Sequence, residues 1–521
     1  MPALRLCNRM RDNENRDWSA ETQLVLAAAV FLTCALPPAR AQSVFGAIDP
    51  LSTTQKVSPA PNLRWEPPAT LPNVTAPGSA QKLPLQLNEP LSLAQLTEIA
   101  LTLNAKTAQA WAQARAEAAQ LGIDRALFFP QLSGLVTDRI GRAISATSGL
   151  PNSTLIDQSG NPATLAQGGR PYGVFTIYGP SLSLSYLLFD FGKRAADVEA
   201  TEYRLLAANL TQNRTLQEVA TQVEQAYYQV LGFEQLILAT KESLKNFEAA
   251  LDAAQRRRES GLATIADVYR AETQVAQTQL VLTRNQGDLS KARGVLANAV
   301  GLPANFPLKL RGISDLPPVA EITQSMTDLL TRAKANRPDL VAAEALARAA
   351  RASARSAVRA GLPTVNFVAN YGRNIYTNTL TGQDVYNFTL NLNIPIFTGF
   401  GDTYRIRQSE EQAKAAEAAR DQLYNQTELD VWQAYYDLQT ANDGIKSTQI
   451  LVKSAEQTSE ATFARYKAGY GSLLDLLTAR QDEASARAQR IQSYLDWYTA
   501  LARLNFSIGI SDILAGADKK K

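Results

Sequence analysis

Hydrophobic positions recur along this chain at two periods. Leu182, Leu184 and Tyr186 alternate with Ser181, Ser183 and Ser185, and Phe388, Leu390, Leu392 and Ile394 alternate with Asn387, Thr389, Asn391 and Asn393. A period of two predicts strands with one apolar and one polar face. Soon after each strand come 67 residues, 193–259 and 401–467, without proline and with one internal glycine apiece, Gly232 and Gly444. In the first stretch Leu216, Val219, Val223, Ala226, Val230, Phe233, Ile237, Thr240, Leu244, Phe247, Leu251 and Ala254 fall at spacings of three and four. In the second, Tyr424, Thr427, Val431, Ala434, Leu438, Ala441, Ile445, Thr448, Val452, Ala455, Ser459 and Thr462 do the same. That is the heptad of helices packed along a seam. Each helix would reach ~100 Å at ~1.5 Å per residue, three times the ~30 Å of a bilayer's hydrocarbon, so it stands outside the membrane. Seams rich in Ala, Ser and Thr bury little apolar area, and such helices need neighbours on more than one side.

The two stretches belong to an internal repeat. Phe189 matches Phe397, Ala226-Tyr227-Tyr228 matches Ala434-Tyr435-Tyr436, and Gly261, Asp267 and Gly301 match Gly469, Asp475 and Gly509, all 208 residues apart. Upstream, Phe129-Pro130 matches Leu362-Pro363 at an offset of 233, and the difference falls in a loop at 147–171. Each copy reads as helix, strand, loop, strand, very long helix, tight turn, helix. Residues 91–318 form the first copy, with strands at about 131–191, and 319–511 the second, with strands at about 364–400; a tail, 512–521, follows. Before them, 42–90 is proline-rich and reads as an extended arm.

Four amphipathic strands cannot close a barrel, because the smallest membrane barrels have about eight and lipid tolerates no open edge. If they enter a membrane, two, three or four copies share the barrel. The N-terminus supports export: Arg5, Arg9, Arg11 and Arg16 precede the apolar run Leu24–Leu36 and the small-residue site Ala39-Arg40-Ala41. Residues 1–41 are expected to be a signal peptide cleaved before Gln42, with lipidation at Cys34 as the variant. Composition then narrows the chemistry. There is no histidine, and the two cysteines, Cys7 and Cys34, lie within the signal. Histidine acid–base catalysis, His/Cys metal sites and thiol nucleophiles are thereby excluded, and no enzyme, cofactor or metal is expected. A net charge of +3 points to no nucleic-acid partner.

The chain resembles the TolC, or outer-membrane efflux protein, family. The likeness is carried by Leu91-Ser92-Leu93, Phe129-Pro130-Gln131-Leu132, Phe189-Asp190-Phe191-Gly192, Ile396-Phe397-Thr398-Gly399-Phe400-Gly401, Gln433-Ala434-Tyr435-Tyr436 and Tyr466-Lys467-Ala468-Gly469, over nearly all of 91–511. It implies a mixed fold: a homotrimer whose 12-stranded outer-membrane β-barrel, set in outer-membrane lipid, is continued by a periplasmic α-helical barrel. It also implies an exit duct for efflux or type I secretion, with a periplasmic adaptor and an inner-membrane transporter of RND or ABC type as partners. A stand-alone diffusion porin and a periplasmic coiled-coil scaffold are the alternatives. Porins spend their length on strands, whereas this chain spends most of it on heptad helices; against the scaffold stand the strand pairs.

The candidate site is the tip of the long helices. The turns 260–264 and 468–472 carry Gly261 and Gly469, then Thr264 and Ser472 at the next helix start, then Asp267 and Asp475 three residues on. One reading is capping, in which Asp satisfies backbone donors at the helix start. The resemblance implies another, that Asp475 rings a constricted periplasmic mouth, with Asp267 beside it. Two positions depart from the family: Thr478 stands where a second carboxylate is expected, and Gly471 where a gate arginine is found. Arg256-Arg257-Arg258 beside the first turn is either a solvated helix end or a docking patch for an acidic adaptor. Tyr172, Phe175, Tyr178, Phe189, Phe191, Phe388, Phe397 and Phe400 are, as a set, candidates for aromatic girdles at the membrane interfaces.

Overall fold

The computed structural model describes residues 58, 60–64, 90–142, 155–156, 162–163, 174–311, 325–376 and 381–510. The signal peptide with its cleavage site and Cys34, most of the arm, Tyr172 and the tail 512–521 lie outside the described residues. The first copy comprises α1 (Leu93–Leu103), α2 (Ala105–Ala126), β1 (Gln131–Arg142), a two-residue ladder of β2 (Leu155–Ile156) with β3 (Pro162–Ala163), β4 (Val174–Phe189), α3 (Lys193–Glu259) and α4 (Ile265–Val300). The second comprises α5 (Met326–Asn336), α6 (Pro338–Arg359), β5 (Thr364–Tyr376), β6 (Thr381–Asn393), α7 (Gly401–Lys467) and α8 (Leu473–Ser507). Both long helices span 67 residues, as the proline-free stretches predict.

The structure corrects two expectations. Where one helix is expected at the start of each copy, there are two. Asn104 ends α1 with extended backbone and starts α2: its side-chain oxygen accepts from Lys106 N at 2.9 Å, and its amide donates to Ala299 O at 2.8 Å. In the second copy Arg337 takes this place and Pro338, pre-organised for a first helical position, opens α6. Behind each break lies a left-handed glycine ending the last helix of the copy. A Cβ on Gly301 (φ +90°) would lie 2.8 Å from the Leu103 carbonyl, and one on Gly509 (φ +75°) 2.7 Å from that of Asn336. The repeated glycines thus mark where the chain folds back against its own first helix. The second correction is that β6 stops at Asn393, well before 400. Ile394 continues the alternation, but Pro395 has no N–H for the ladder. Leu187 occupies the equivalent place in β4, which runs on to Phe189.

The elbow from strand to long helix needs two successive left-handed residues in both copies. They are Phe191 (φ 51°) and Gly192 (φ 82°) in the first, Gly399 (φ 62°) and Phe400 (φ 64°) in the second. Asp190 secures the first elbow, accepting from Gly192 N at 3.1 Å and from Arg194 N at 2.8 Å. Thr398 replaces it in the second, where its carbonyl accepts from Gly401 N at 3.2 Å.

Helix packing differs between the copies. The predicted seam of α3 is buried from Leu216 through Val230, in a core shared with α1 and α4, and again at Phe247 and Ala254 near the tip. The seam of α7 buries Val431, Leu438 and Ile445 against α5 and α8, whereas Tyr424 stays exposed under the Lys334 ammonium. Tyr228 of α3 stacks on Tyr498 of α8 with centroids 4.3 Å apart, joining the copies. Gly232, the one glycine inside α3, lets Leu495 of α8 approach; a Cβ would lie 2.3 Å from its methyl. In all, α3 buries 24 of its 67 residues and α7 only 11, so among the described residues α3 has neighbours on more sides than α7.

Part of the arm is docked. The Trp111 indole of α2 donates to Ser58 O and the fully buried Gln212 amide of α3 to Leu63 O at 3.2 Å, while the Ser58 hydroxyl closes the turn on Leu63 O at 2.6 Å. The turn at 60–64 thereby covers a polar stretch of α3.

Candidate functional site

The four long strands form one antiparallel sheet in the order β1-β4-β5-β6, so the two copies meet at β4 and β5. The register sorts the alternation into two faces. Leu132, Leu184, Ala369 and Phe388 form one cross-strand row, flanked by Leu182, Tyr371 and Tyr386 and by Tyr186, Phe367 and Leu390. On the opposite face Ser133, Ser183, Asn370 and Asn387 make a row, with an Asn370–Asn387 amide hydrogen bond of 2.8 Å. The apolar face is open: Leu132, Phe388 and Leu390 are each about two-thirds exposed. Among the described residues no strand continues the ladder beyond β1 or β6. A large apolar face beside small uncharged polar side chains matches lipid on one side and water on the other. Phe189, Phe397 and Phe400 are exposed at the strand-to-helix ends, where a girdle is expected, and Phe397 meets Phe400 edge-on at 5.4 Å.

The opposite ends of the long helices come together. Phe247, Ala254 and Ala271 of the first hairpin pack with Tyr466, Leu473, Leu476 and Leu477 of the second in one buried cluster. Left-handed Gly261 (φ +72°) and Gly469 (φ +86°) make the turns, and Thr264 and Ser472 cap the helices that follow. The two Asp residues differ. Asp267 completes a capping box: its carboxylate accepts from Thr264 N at 3.0 Å and from the Thr264 hydroxyl at 2.8 Å. These two hydrogen bonds, hydroxyl first, hold its pKa below the usual carboxylate value. At Ser472 only half the box forms, with the hydroxyl accepting from Asp475 N at 3.1 Å. The Asp475 carboxylate stays exposed, and Thr478 lies exposed one turn on.

Gly471 is half-buried against the end of α7. A Cβ there would lie 3.0 Å from Tyr466 N, so an arginine at this position would force the turn to shift. The arginine run divides in three. Arg256 pairs with Asp252 at 3.0 Å on the exposed surface, and Arg258 is exposed. Arg257 turns inward, donating to Tyr466 O at 2.8 Å with its guanidinium 4.7 Å from the Tyr466 ring centroid. It therefore ties the first hairpin to the second, a role that three consecutive arginines do not reveal in sequence.

The profile of the family described as outer membrane efflux protein matches residues 96–302 and 329–510, one segment in each copy. The chain is 26% identical over 404 residues to protein CyaE of Bordetella pertussis, covering 77% of this chain and 80% of that one. It is 26% identical over 439 residues to the probable efflux pump outer membrane protein TtgC of Pseudomonas putida, covering 80% and 83%. The solved structure of the outer-membrane channel OprN superposes with a TM-score of 0.70 at 20% identity, over 80% of this chain and 90% of that one, a likeness of fold.

Proposed function

We propose, from the premise that this chain belongs to the outer membrane efflux protein family, that three copies assemble into the outer-membrane exit duct of an efflux pump. The observation that carries this reading is the four-stranded sheet with an open apolar face, a small polar face and two unpaired edges. Three such sheets, joined β6 to β1, close a barrel of 12 strands and remove every edge. The uncovered side of α7 has the same remedy in a neighbour's helices. The chain itself supplies a passage; a periplasmic adaptor meeting the hairpin tips and an inner-membrane transporter supply coupling and energy, for efflux or for type I secretion. Residues 1–41 serve as the export signal. Native mass spectrometry of protein purified from outer membranes is expected to find a trimer starting at Gln42, and planar-bilayer recordings a mostly closed, cation-preferring pore. A monomer that inserts no pore would mark a scaffold, and a large steady pore a porin; either result removes the proposal.

At the mouth, the exposed Asp475 carboxylates are the gate charges and the Asp267 carboxylates chiefly helix caps. Three like charges about 8 Å apart repel by roughly 2 kcal/mol per pair at an effective dielectric near 20, so cations collect there. Asp475→Asn should lower cation preference and weaken block by multivalent cations with little change in melting. Asp267→Asn should do the reverse, lowering the melting midpoint slightly with selectivity intact. Equal selectivity changes in the two variants would show that the cap does not set Asp267 apart.

A further inference from the structure

The contact between the two copies is a template for a contact the chain does not make with itself. Within the chain α3 meets α8 along one face. Arg214 donates to Phe506 O at 2.9 Å and Gln217 to Gly509 O at 2.8 Å. Farther along, Tyr228 stacks on Tyr498, Leu495 packs onto Gly232, and Glu242 pairs with Arg487 at 2.9 Å. From Arg214 to Glu242 this face runs ~40 Å at ~1.5 Å per residue, so its register is fixed over a long stretch. The repeat offset of 208 residues carries α3 onto α7 and α8 onto α4 with no gap in either helix. The same face therefore exists a second time, on α7 and α4, and there it is bare: Gln422, Asn425, Tyr436, Thr440 and Ile450 of α7 are all exposed, as are Gln279, Thr283, Gln286, Gly287 and Ser290 of α4.

Two details show that the bare faces are made to fit each other. The first is steric. A Cβ on Gly232 would lie 2.3 Å from a Leu495 methyl, so the internal contact tolerates no side chain there. In the second set Thr440 takes the place of Gly232 and does carry a Cβ, but Leu495 is replaced by Gly287. The colliding side chain has been removed from the opposite helix. Nothing inside the chain calls for this glycine: Gly287 sits in the middle of α4, where glycine is destabilising relative to alanine, and a Cβ on it would meet nothing within 4 Å. The second detail is polar. Arg214 and Gln217 are matched by Gln422 and Asn425, so both donors are kept. The acceptor end is kept too: Asn298 O accepts from left-handed Gly301 as Phe506 O does from left-handed Gly509, and Asn298 and Gly301 are exposed.

We propose that a second copy of this chain occupies the bare face: α7 of one subunit meets α4 of the next in the register of the α3–α8 contact, with Thr440 seated over Gly287 and with Gln422 and Asn425 donating to the Asn298 and Gly301 carbonyls. The inference rests on the trimer proposed above and adds its register. The sheet imposes the same order, since β6 of one chain joins β1 of the next. Six contacts then ring the helical tube. The three internal ones are closed by the tyrosine stack and the Glu242–Arg487 pair; in the three between subunits Tyr436 faces Ser290 and Ile450 faces Gln279, so these are the thinner and more polar seams.

Disulfide trapping tests the register. No cysteine lies outside residues 1–41, so the mature chain offers a clean background. A Cβ on Gly232 would lie 2.7 Å from Leu495 Cγ, which puts the matching pair of Cβ atoms near the roughly 3.5–4.5 Å of a disulfide. Thr440→Cys with Gly287→Cys, oxidised in outer membranes, is expected to convert most of the chain to covalent dimer and trimer on non-reducing gels. Neither single variant should do so, nor Thr440→Cys with Gln279→Cys, which is about 12 Å out of register. Gly287→Leu should lower the trimer fraction in native mass spectrometry at least 10-fold with helix content unaltered. No trapping at 440 and 287, equal trapping at 440 and 279, or a Gly287→Leu trimer as abundant as the parent's would each overturn the register while the parent remains a trimer. A parent found monomeric would instead remove the trimer, and this contact with it.

Discussion

Replacing Arg337 with Met is expected to destabilise the protein by about 3–5 kcal/mol, the cost of breaking a buried ion pair from one side. The Arg337 side chain is 3% exposed, at the break between α5 and α6. It gives two hydrogen bonds to Asp339, at 2.7 and 3.1 Å, and one to Asp430 at 3.1 Å, and lies 3.4 Å from Ser507 O at the end of α8. Methionine fills nearly the same volume, so cavity formation contributes little. What remains is the Asp339 carboxylate, with Arg214 at 3.6 Å as its nearest cation. Arg214 itself is pushed down to about 10, by burial first and then, against the pull of Asp339, by the charge of Arg337.

The network carries a pH signature. Burial acts to raise the Asp339 pKa, but the Arg337 hydrogen bonds and the charges of Arg214 and Arg337 outweigh it and leave it below the ordinary value. A depressed carboxylate stabilises fully above its unfolded pKa, about 4, and loses that contribution as pH falls through the lower folded value. In Arg337→Met the folded pKa rises, so acid unfolding should begin at higher pH. Helix melting by circular dichroism from pH 3 to 7 reads both effects. Arg337→Met with Arg214→Met, Asp339→Leu and Asp430→Leu should recover most of the loss, since no buried charge is then left without its partner. Melting equal to the parent in the single variant would show that the network contributes nothing net.

The second large effect is expected at the two glycines behind the helix breaks. Gly509→Ala adds a left-handed penalty of about 1–2 kcal/mol and a Cβ pressed on the Asn336 carbonyl, which moves only with the backbone of the break itself. A total of about 3–4 kcal/mol follows, and Gly301→Ala should match it in the first copy. Gly444→Ala, where an added Cβ meets nothing within 4 Å, is the control and should stabilise α7 by a few tenths to about 1 kcal/mol. Yield of assembled protein and the melting midpoint measure all three. Similar losses at Gly444 and Gly509 would mean that neither close approach nor backbone handedness sets the cost.

The long helices, the turns and the pairing of copies are legible in sequence because each rests on local rules: proline is absent from the helices, glycine stands at the turns, and alternation sets the strand faces. The break at Asn104 is not, since Leu103-Asn104-Ala105 holds no breaker and the cap is completed by Ala299 O, 195 residues away. At the tip the sequence singles out Asp267 and Asp475 alike. Their difference arises from Thr264 against Ser472 and from how each turn presents its cap, which spacing does not encode. Arg257 is likewise indistinguishable from Arg256 and Arg258 until Tyr466 is placed beside it.

The unequal burial of α3 and α7 bears on how such chains recognise their own kind. In the proposed trimer the surface that meets the next subunit is supplied largely by the exposed side of α7, with Trp432 and Ile450, and by β6. The helix α3 buries about twice as many residues within its own chain as α7 does. Where a cell expresses two related ducts, substitutions on α7 and β6 would decide which subunits mix, while α3 answers only to its own fold. Duplication therefore put α7 and β6 of the second copy on one side of each subunit contact, and left α3 of the first copy out of it.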